Sequence, residues 1–263
     1  MFTARSLAVG AFRFNTMKAI LLCRNVLVVG GLLLTTCMNT ASANVVIGGT
    51  RVVYPASERE ITIRLDNAGD EPALVQSWVD SGNPESRADQ ANAPFLLMPP
   101  VARISPKRSQ TLRMTYNQDP LPQDVESVFW LNVLDVPPVP KNIDSNFIQV
   151  AYRSRIKIFF RPEGLKGYAG DTPAAITWKL VPSGKGFALR GTNPTVFSAS
   201  YNKVELLVGS KVYAGKGGMI PARGTFEFPL EGLQSNPQGS GNVRYEWVND
   251  YGSSKTAETK LGS

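Results

Sequence analysis

Beyond its first forty residues this chain is written in short runs whose apolar side chains recur at every second position, a period that belongs to strands. Gly, Pro, Asn and Asp separate the runs. Ile61, Ile63 and Leu65 point one way and Thr62 and Arg64 the other, and Asp66-Asn67-Ala68-Gly69-Asp70 then turns the chain. Equivalent runs predict strands over residues 45–54, 73–79, 95–98, 110–116, 127–136 and 147–160. No segment shows a convincing amphipathic helix. About seven strands at such spacings predict an immunoglobulin-like β-sandwich, an architecture that does not require a disulfide.

A second set of runs, at 175–181, 186–191, 204–208, 211–213, 224–229 and 242–249, follows Arg161-Pro162-Glu163-Gly164-Leu165-Lys166-Gly167. The Pro and the two Gly of that stretch suit a hinge. The expected fold is therefore all-β, with two immunoglobulin-like sandwiches at residues 44–162 and 163–263. Lys216-Gly217-Gly218 reads as a turn, and the polar residues from Ser253 onward read as a poorly packed tail.

Residues 1–43 read as a cleaved secretory signal peptide. From Met17 the chain runs through the basic residues Lys18 and Arg24, an apolar stretch from Val26 to Leu34, and the small triplet Ala41-Ser42-Ala43. The apolar part is too short for the roughly 20 residues that span a bilayer. Thr36 is bulkier than the small residue expected before the cysteine of a lipoprotein signal, so Cys37 is not read as a lipid attachment site. Residues 1–16 carry no clear pattern and read as an upstream extension, with Met17 the more signal-like start. Cleavage after Ala43 removes four basic residues and no acid, which takes the net charge from +7 to +3. With the remaining charges mixed and scattered, nucleic acid is not an expected partner. Nor is the mature chain expected to insert in a membrane.

The chain has no histidine, and both cysteines, Cys23 and Cys37, fall within the leader. This removes histidine-based triads, thiolate nucleophiles and most zinc sites from the mature protein. Ser183-Gly184-Lys185-Gly186 lacks the hydroxyl residue and the upstream glycine of a phosphate loop. Asp70 and Glu71 lie together in a turn, where solvated acids are ordinary. No catalytic residue, metal or cofactor is expected, and the chain does not read as an enzyme.

The unusual segment is 146–160, which is long for a sandwich strand. Ile148, Val150 and Tyr152 share one face of its first half, and Arg153, Arg155 and Lys157 occupy the other parity of its second half. One reading makes the apolar residues core and the cations a solvated face. The other makes the first half an exposed edge that offers backbone groups and apolar side chains to another chain.

Several further motifs bear on that choice: Thr50-Arg51-Val52-Val53-Tyr54-Pro55, Gln76-Ser77-Trp78, Met98-Pro99-Pro100-Val101-Ala102-Arg103-Ile104, Glu126-Ser127-Val128-Phe129-Trp130-Leu131-Asn132-Val133, Ser154-Arg155-Ile156-Lys157-Ile158-Phe159-Phe160-Arg161-Pro162, Thr192-Asn193-Pro194-Thr195 and Val248-Asn249-Asp250-Tyr251-Gly252. In this order, behind a signal peptide, they resemble the periplasmic pilus-assembly chaperones of the chaperone–usher pathway, the PapD-like family.

The resemblance implies two sandwiches set in an L. It implies a pilin client that lacks its final strand, β-augmented by Ile148, Val150 and Tyr152, with its C-terminal carboxylate anchored by Arg51 and Lys157. Simple alternation puts Lys157 on the opposite parity from Ile148, so a bulge or strand twist is expected to turn it into the cleft. Glu126, Arg161 and Asp250 match a structural inter-domain charge network. An outer-membrane usher is the implied second partner, and the resemblance leaves room for self-association of the free chaperone. The seven residues between Pro138 and Asn146 look like the short-loop subclass tied to rod-forming pili. Tyr152 is larger than the aliphatic residue usual there. The competing reading from another class is a secreted two-domain sandwich that binds carbohydrate or cell surfaces.

Overall fold

The structure is a computed structural model that describes residues 44–139, 149–237 and 241–262. In the first sandwich, β1 (Val45–Ile47), β3 (Ile61–Asn67), β7 (Ser109–Tyr116) and β5 (Phe95–Met98) form one sheet in the order β1-β3-β7-β5. The facing sheet has the order β2-β9-β8-β4-β6, from β2 (Arg51–Pro55), β9 (Tyr152–Arg161), β8 (Ser127–Val136), β4 (Ala73–Asp80) and β6 (Val101–Ile104).

The strand expected over residues 45–54 is thus two strands. Its first half pairs antiparallel with β3 and its second runs parallel to β9, so the chain crosses between sheets at Gly48-Gly49-Thr50. Gly48 donates its N–H to the Arg64 carbonyl at 2.8 Å, and a Cβ there would lie 3.3 Å from that oxygen. Alternation shows which side chains share a face but not which neighbour a strand pairs with.

Side chains from both sheets alternate into one core. On β8, Phe129, Leu131 and Val133 are buried among Tyr54, Leu65, Leu112, Met114, Ile158 and Phe160. Tyr54, Phe95, Tyr116, Phe129 and Phe160 form a ring cluster at centroid distances of 4.6 to 6.2 Å. The buried Tyr54 hydroxyl accepts from the Tyr116 N–H and has the Glu58 and Arg59 carbonyls within reach of its own proton, so its polar end is satisfied.

A short helix, α1 (Thr172–Ala175), opens the second sandwich and ends on the first residue of the strand expected over 175–181. One sheet orders β10 (Thr177–Ser183), β11 (Gly186–Thr192) and β14 (Thr225–Pro229) as β10-β11-β14. The other orders β13 (Lys211–Ile220), β12 (Ala199–Val208), β15 (Asn242–Val248) and β16 (Ser254–Lys260) as β13-β12-β15-β16. Fully buried Trp178 lies within 5.6 to 5.9 Å of the Tyr201, Phe228 and Tyr245 rings at the centre of a separate core.

Two expectations are corrected here. Lys216-Gly217-Gly218 lies inside β13, and the polar tail is the edge strand β16, paired with β15 from Asn242↔Lys260 to Val248↔Ser254. Side chains of β16 are largely exposed, so the strand is held by its backbone ladder and leaves little apolar signature.

Replacing Trp178 with Ala removes the ring on which the second core closes. It should cost about 3 to 5 kcal/mol in a urea titration.

Candidate functional site

Strands β2 and β9 run parallel in register, which sets Arg51 directly beside Lys157. Ile156, Ile158 and Phe160 point from β9 into the first core, while Arg155, Lys157, Phe159 and Arg161 occupy its other face. Pairing with β8 is continuous from Tyr152↔Asp135 to Phe160↔Ser127. The bulge expected for Lys157 is therefore absent from β9. Lys157 reaches the second sandwich because of its odd parity: the even face is occupied by the core, and the second sandwich approaches the odd one.

Its contacts come from two neighbouring strands of that sandwich. Lys157 Nζ donates to Ser200 Oγ at 3.2 Å, and Arg51 Nη1 donates to the Val248 carbonyl at 2.8 Å. Ser200 and Val248 are themselves cross-strand partners on β12 and β15. The Arg51 guanidinium lies 5.6 Å from the centre of the Phe159 ring, and its Nε is buried with no hydrogen-bond partner among the described residues.

Neither cation forms an ion pair with a described residue. Burial holds Arg51 below its ordinary pKa, although Asp250 and Glu126 pull the other way. Burial, and then the charge of Arg51, pushes Lys157 down as well. Two desolvated like charges are an uncomfortable arrangement, relieved by an anion that enters between them.

The nearby acids are already engaged. Arg161 Nε bonds Glu126 Oε2 at 2.7 Å, and its two terminal nitrogens form a fork with Asp250 at 2.6 and 2.8 Å. Glu126 also accepts the Ser198 N–H at 2.9 Å, and its own N–H donates to the Val196 carbonyl. Burial pushes the Glu126 carboxyl up against the pull of Arg161. For Arg161, burial acts to lower the pKa but the two carboxylates outweigh it and hold it above the ordinary value. Glu126, Arg161 and Asp250 thus meet where the two sandwiches touch. Two contacts not foreseen in the sequence add to the seam. Arg223 pairs with Asp124, and a Cβ on Gly252 (φ +81°) would fall 2.5 Å from Thr50 Oγ1.

The other two cations of β9 are committed elsewhere. Arg155 pairs with buried Asp80 at 2.6 Å and covers the Trp130 ring, while Arg153 bonds the Ser86 and Pro84 carbonyls.

Of the apolar trio ahead of them, Ile148 lies outside the described residues, and Val150 is exposed. Tyr152 is half-buried and begins β9, so the strand starts later than the expected residue 147. Since β2 pairs with β9 only from Lys157 onward, residues 152–156 have β8 on one side and no strand among the described residues on the other.

Residues 44–166 match the family described as pili and flagellar-assembly chaperone, PapD N-terminal domain, and residues 171–259 match pili assembly chaperone PapD, C-terminal domain. The chain belongs to the PapD family of pilus-assembly chaperones. It is accordingly a chaperone, not an enzyme. It is 37% identical over 255 residues to the probable fimbrial chaperone YadV of Escherichia coli K12, covering 94% of this chain and 99% of that one. It is 38% identical over 228 residues to the chaperone protein FimB/FhaD of Bordetella pertussis, covering 85% and 90%. The crystal structure of the YadV chaperone superposes with a TM-score of 0.72 at 38% identity, over 83% of this chain and all of that one. A Salmonella enterica complex of the SafA pilin with the SafB chaperone matches with a TM-score of 0.67 at 27% identity, over 84% and 98%.

Within this PapD family member, Arg161→Ala would strand the buried Glu126 without its cation. Loss of about 3 to 5 kcal/mol in chemical denaturation is expected, well beyond the effect of an exposed ion pair.

Proposed function

We propose that this protein is a periplasmic chaperone that holds newly secreted pilins and hands them to an outer-membrane usher. In this reading residues 1–43 are the secretory signal, 44–162 the pilin-binding domain and 163–263 the second domain. The carrying observation is the Arg51–Lys157 pair: two desolvated cations, side by side, with no ion-pair partner among the described residues. A structural role would provide a carboxylate, as Arg161 has two. A chain terminus supplies a fixed anion that both can hold through charge-assisted hydrogen bonds.

The free flank of β9 supports the other half of the reading. An edge at residues 152–156 beside an exposed Val150 offers a strand to a client that lacks one, with Ile148, Val150 and Tyr152 filling its groove. The main-chain ladder sets register, and each side chain that becomes well buried adds about 1.5 to 3 kcal/mol. No nucleotide or cofactor enters this mechanism, because binding energy alone drives capture. The solved complex of SafA pilin with SafB supports a pilin as the client class.

Tagged mature protein purified from periplasm that expresses pilins should carry a small β-rich subunit, identified by mass spectrometry. Arg51→Ala and Lys157→Ala should be folded and lack it, as should the Ile148→Asp, Val150→Asp double variant. Variants that retain clients like the parent would sink the mechanism.

Lys157 offers a sharper check. Its folded-state pKa lies below 10.5, so the empty protein gains stability as pH rises from that depressed value towards 10.5. Lys157→Met should then unfold at higher urea than the parent at neutral pH while losing the client. Client retention, which needs the charged form, should fall as pH rises through the same window, and Lys157→Arg should remove that fall.

A further inference from the structure

Four acids are buried among the described residues, and three of them have cations: Asp80 pairs with Arg155, Glu126 with Arg161, and Glu205 with Lys203 and Arg244. Asp135 has none. It stands on β8 two positions beyond Val133, on the inward parity, and is 4% exposed. Its Oδ1 is buried with no hydrogen-bond partner among the described residues. Its Oδ2 accepts the N–H groups of Asn44 at 3.1 Å and Val45 at 3.2 Å. A carboxylate kept from water at the end of an apolar core calls for positive charge or a fuller set of donors.

The nitrogen it faces is held in place. Asn44 accepts the Ala68 N–H at its carbonyl, and Val45, 3% exposed, pairs with Asn67 on β3. That same nitrogen follows Ala41-Ser42-Ala43 directly in the sequence. In the full-length chain it is a neutral amide with one hydrogen. When water hydrolyses the Ala43–Asn44 bond, the leader keeps the new carboxylate, and Asn44 gains an α-amine that takes up a proton at neutral pH.

We infer that Asp135 is the docking site for the α-ammonium of the mature chain, so that removal of the leader completes an ion pair the precursor lacks. The inference rests on the proposed reading of residues 1–43 as a secretory signal cleaved after Ala43. It also has a place in the function. Asp135 is the cross-strand partner of Tyr152, the first residue of β9, while Asn44 leads into β1 of the facing sheet, so the new ion pair ties the two sheets together where the client-binding strand begins. The processed chain is then the one whose binding edge is fully supported.

The test uses protein exported with its own leader, its first residue determined by intact mass. A second version carries Gly-Ser inserted between Ala43 and Asn44, which moves the ammonium two residues away and leaves Asn44 with an amide nitrogen. Insertion should lower the folding equilibrium constant from urea titration about tenfold. In the Asp135→Asn background it should change nothing further. Equal stability of the two starts, or the same loss without the Asp135 carboxylate, overturns the inference while leaving the leader reading intact. A mature chain that begins elsewhere than Asn44 overturns both. Should Asp135→Asn fail to fold, ¹³C-methyl NMR of the reductively methylated α-amine decides. A titration above the ordinary α-amino range of about 7.7 to 8.0 supports the pair, and an unshifted one overturns it.

Discussion

The parallel pairing of β2 with β9 is the contact on which the rest of this protein turns. It places Arg51 beside Lys157 on a face that the first core does not use. It also ends at Lys157, so the earlier part of β9 has a strand on one side only among the described residues. One strand register therefore supplies both a pair of desolvated cations and, beside it, a stretch of β9 with no second strand among the described residues. These are the two features by which an extended chain can be held, at its terminus and along its backbone.

The second sandwich completes the arrangement. Ser200 and Val248 meet the two cations with a hydroxyl and a carbonyl, which orient them without cancelling their charge. The full carboxylates, Glu126 and Asp250, are bonded to Arg161 two turns of the alternation further along β9. A partition of this kind costs stability at Arg51 and Lys157, where burial disfavours the charged forms. In the proposed function that cost has a purpose, because an anchor already neutralised by its own chain has little to offer a client.

Much of the architecture was legible because a strand buried on one face has to alternate. Ile63 and Leu65, Leu112 and Met114, and Phe129, Leu131 and Val133 are all buried at period two. Alternation was blind where it carries no information. The passage of residues 45–54 between sheets depends on which strands flank each half, and two glycines mark only that a close approach occurs. Strand β16 was missed because its side chains remain in water and its attachment is made by the backbone. In the site, the motif resemblance singled out Arg51, Lys157, Glu126, Arg161 and Asp250. Ser200, the contact of Arg51 with the Val248 carbonyl and the Asp124–Arg223 pair escaped notice, since nothing in a lone Ser or a backbone carbonyl signals a neighbour from another domain.

The sequence alone determined the all-β class, the two-sandwich order and the absence of histidine and cysteine from residues 44–263, because these follow from residue type and local period. Tertiary structure decided which cations have acids. Arg153, Arg155, Lys157 and Arg161 alternate along one strand and look alike in the sequence, yet carbonyls, Asp80, a hydroxyl, and Glu126 with Asp250 meet them in turn. Charge is a property of the residue, but its compensation is set by what distant segments bring within about 4 Å, and only folding brings them there.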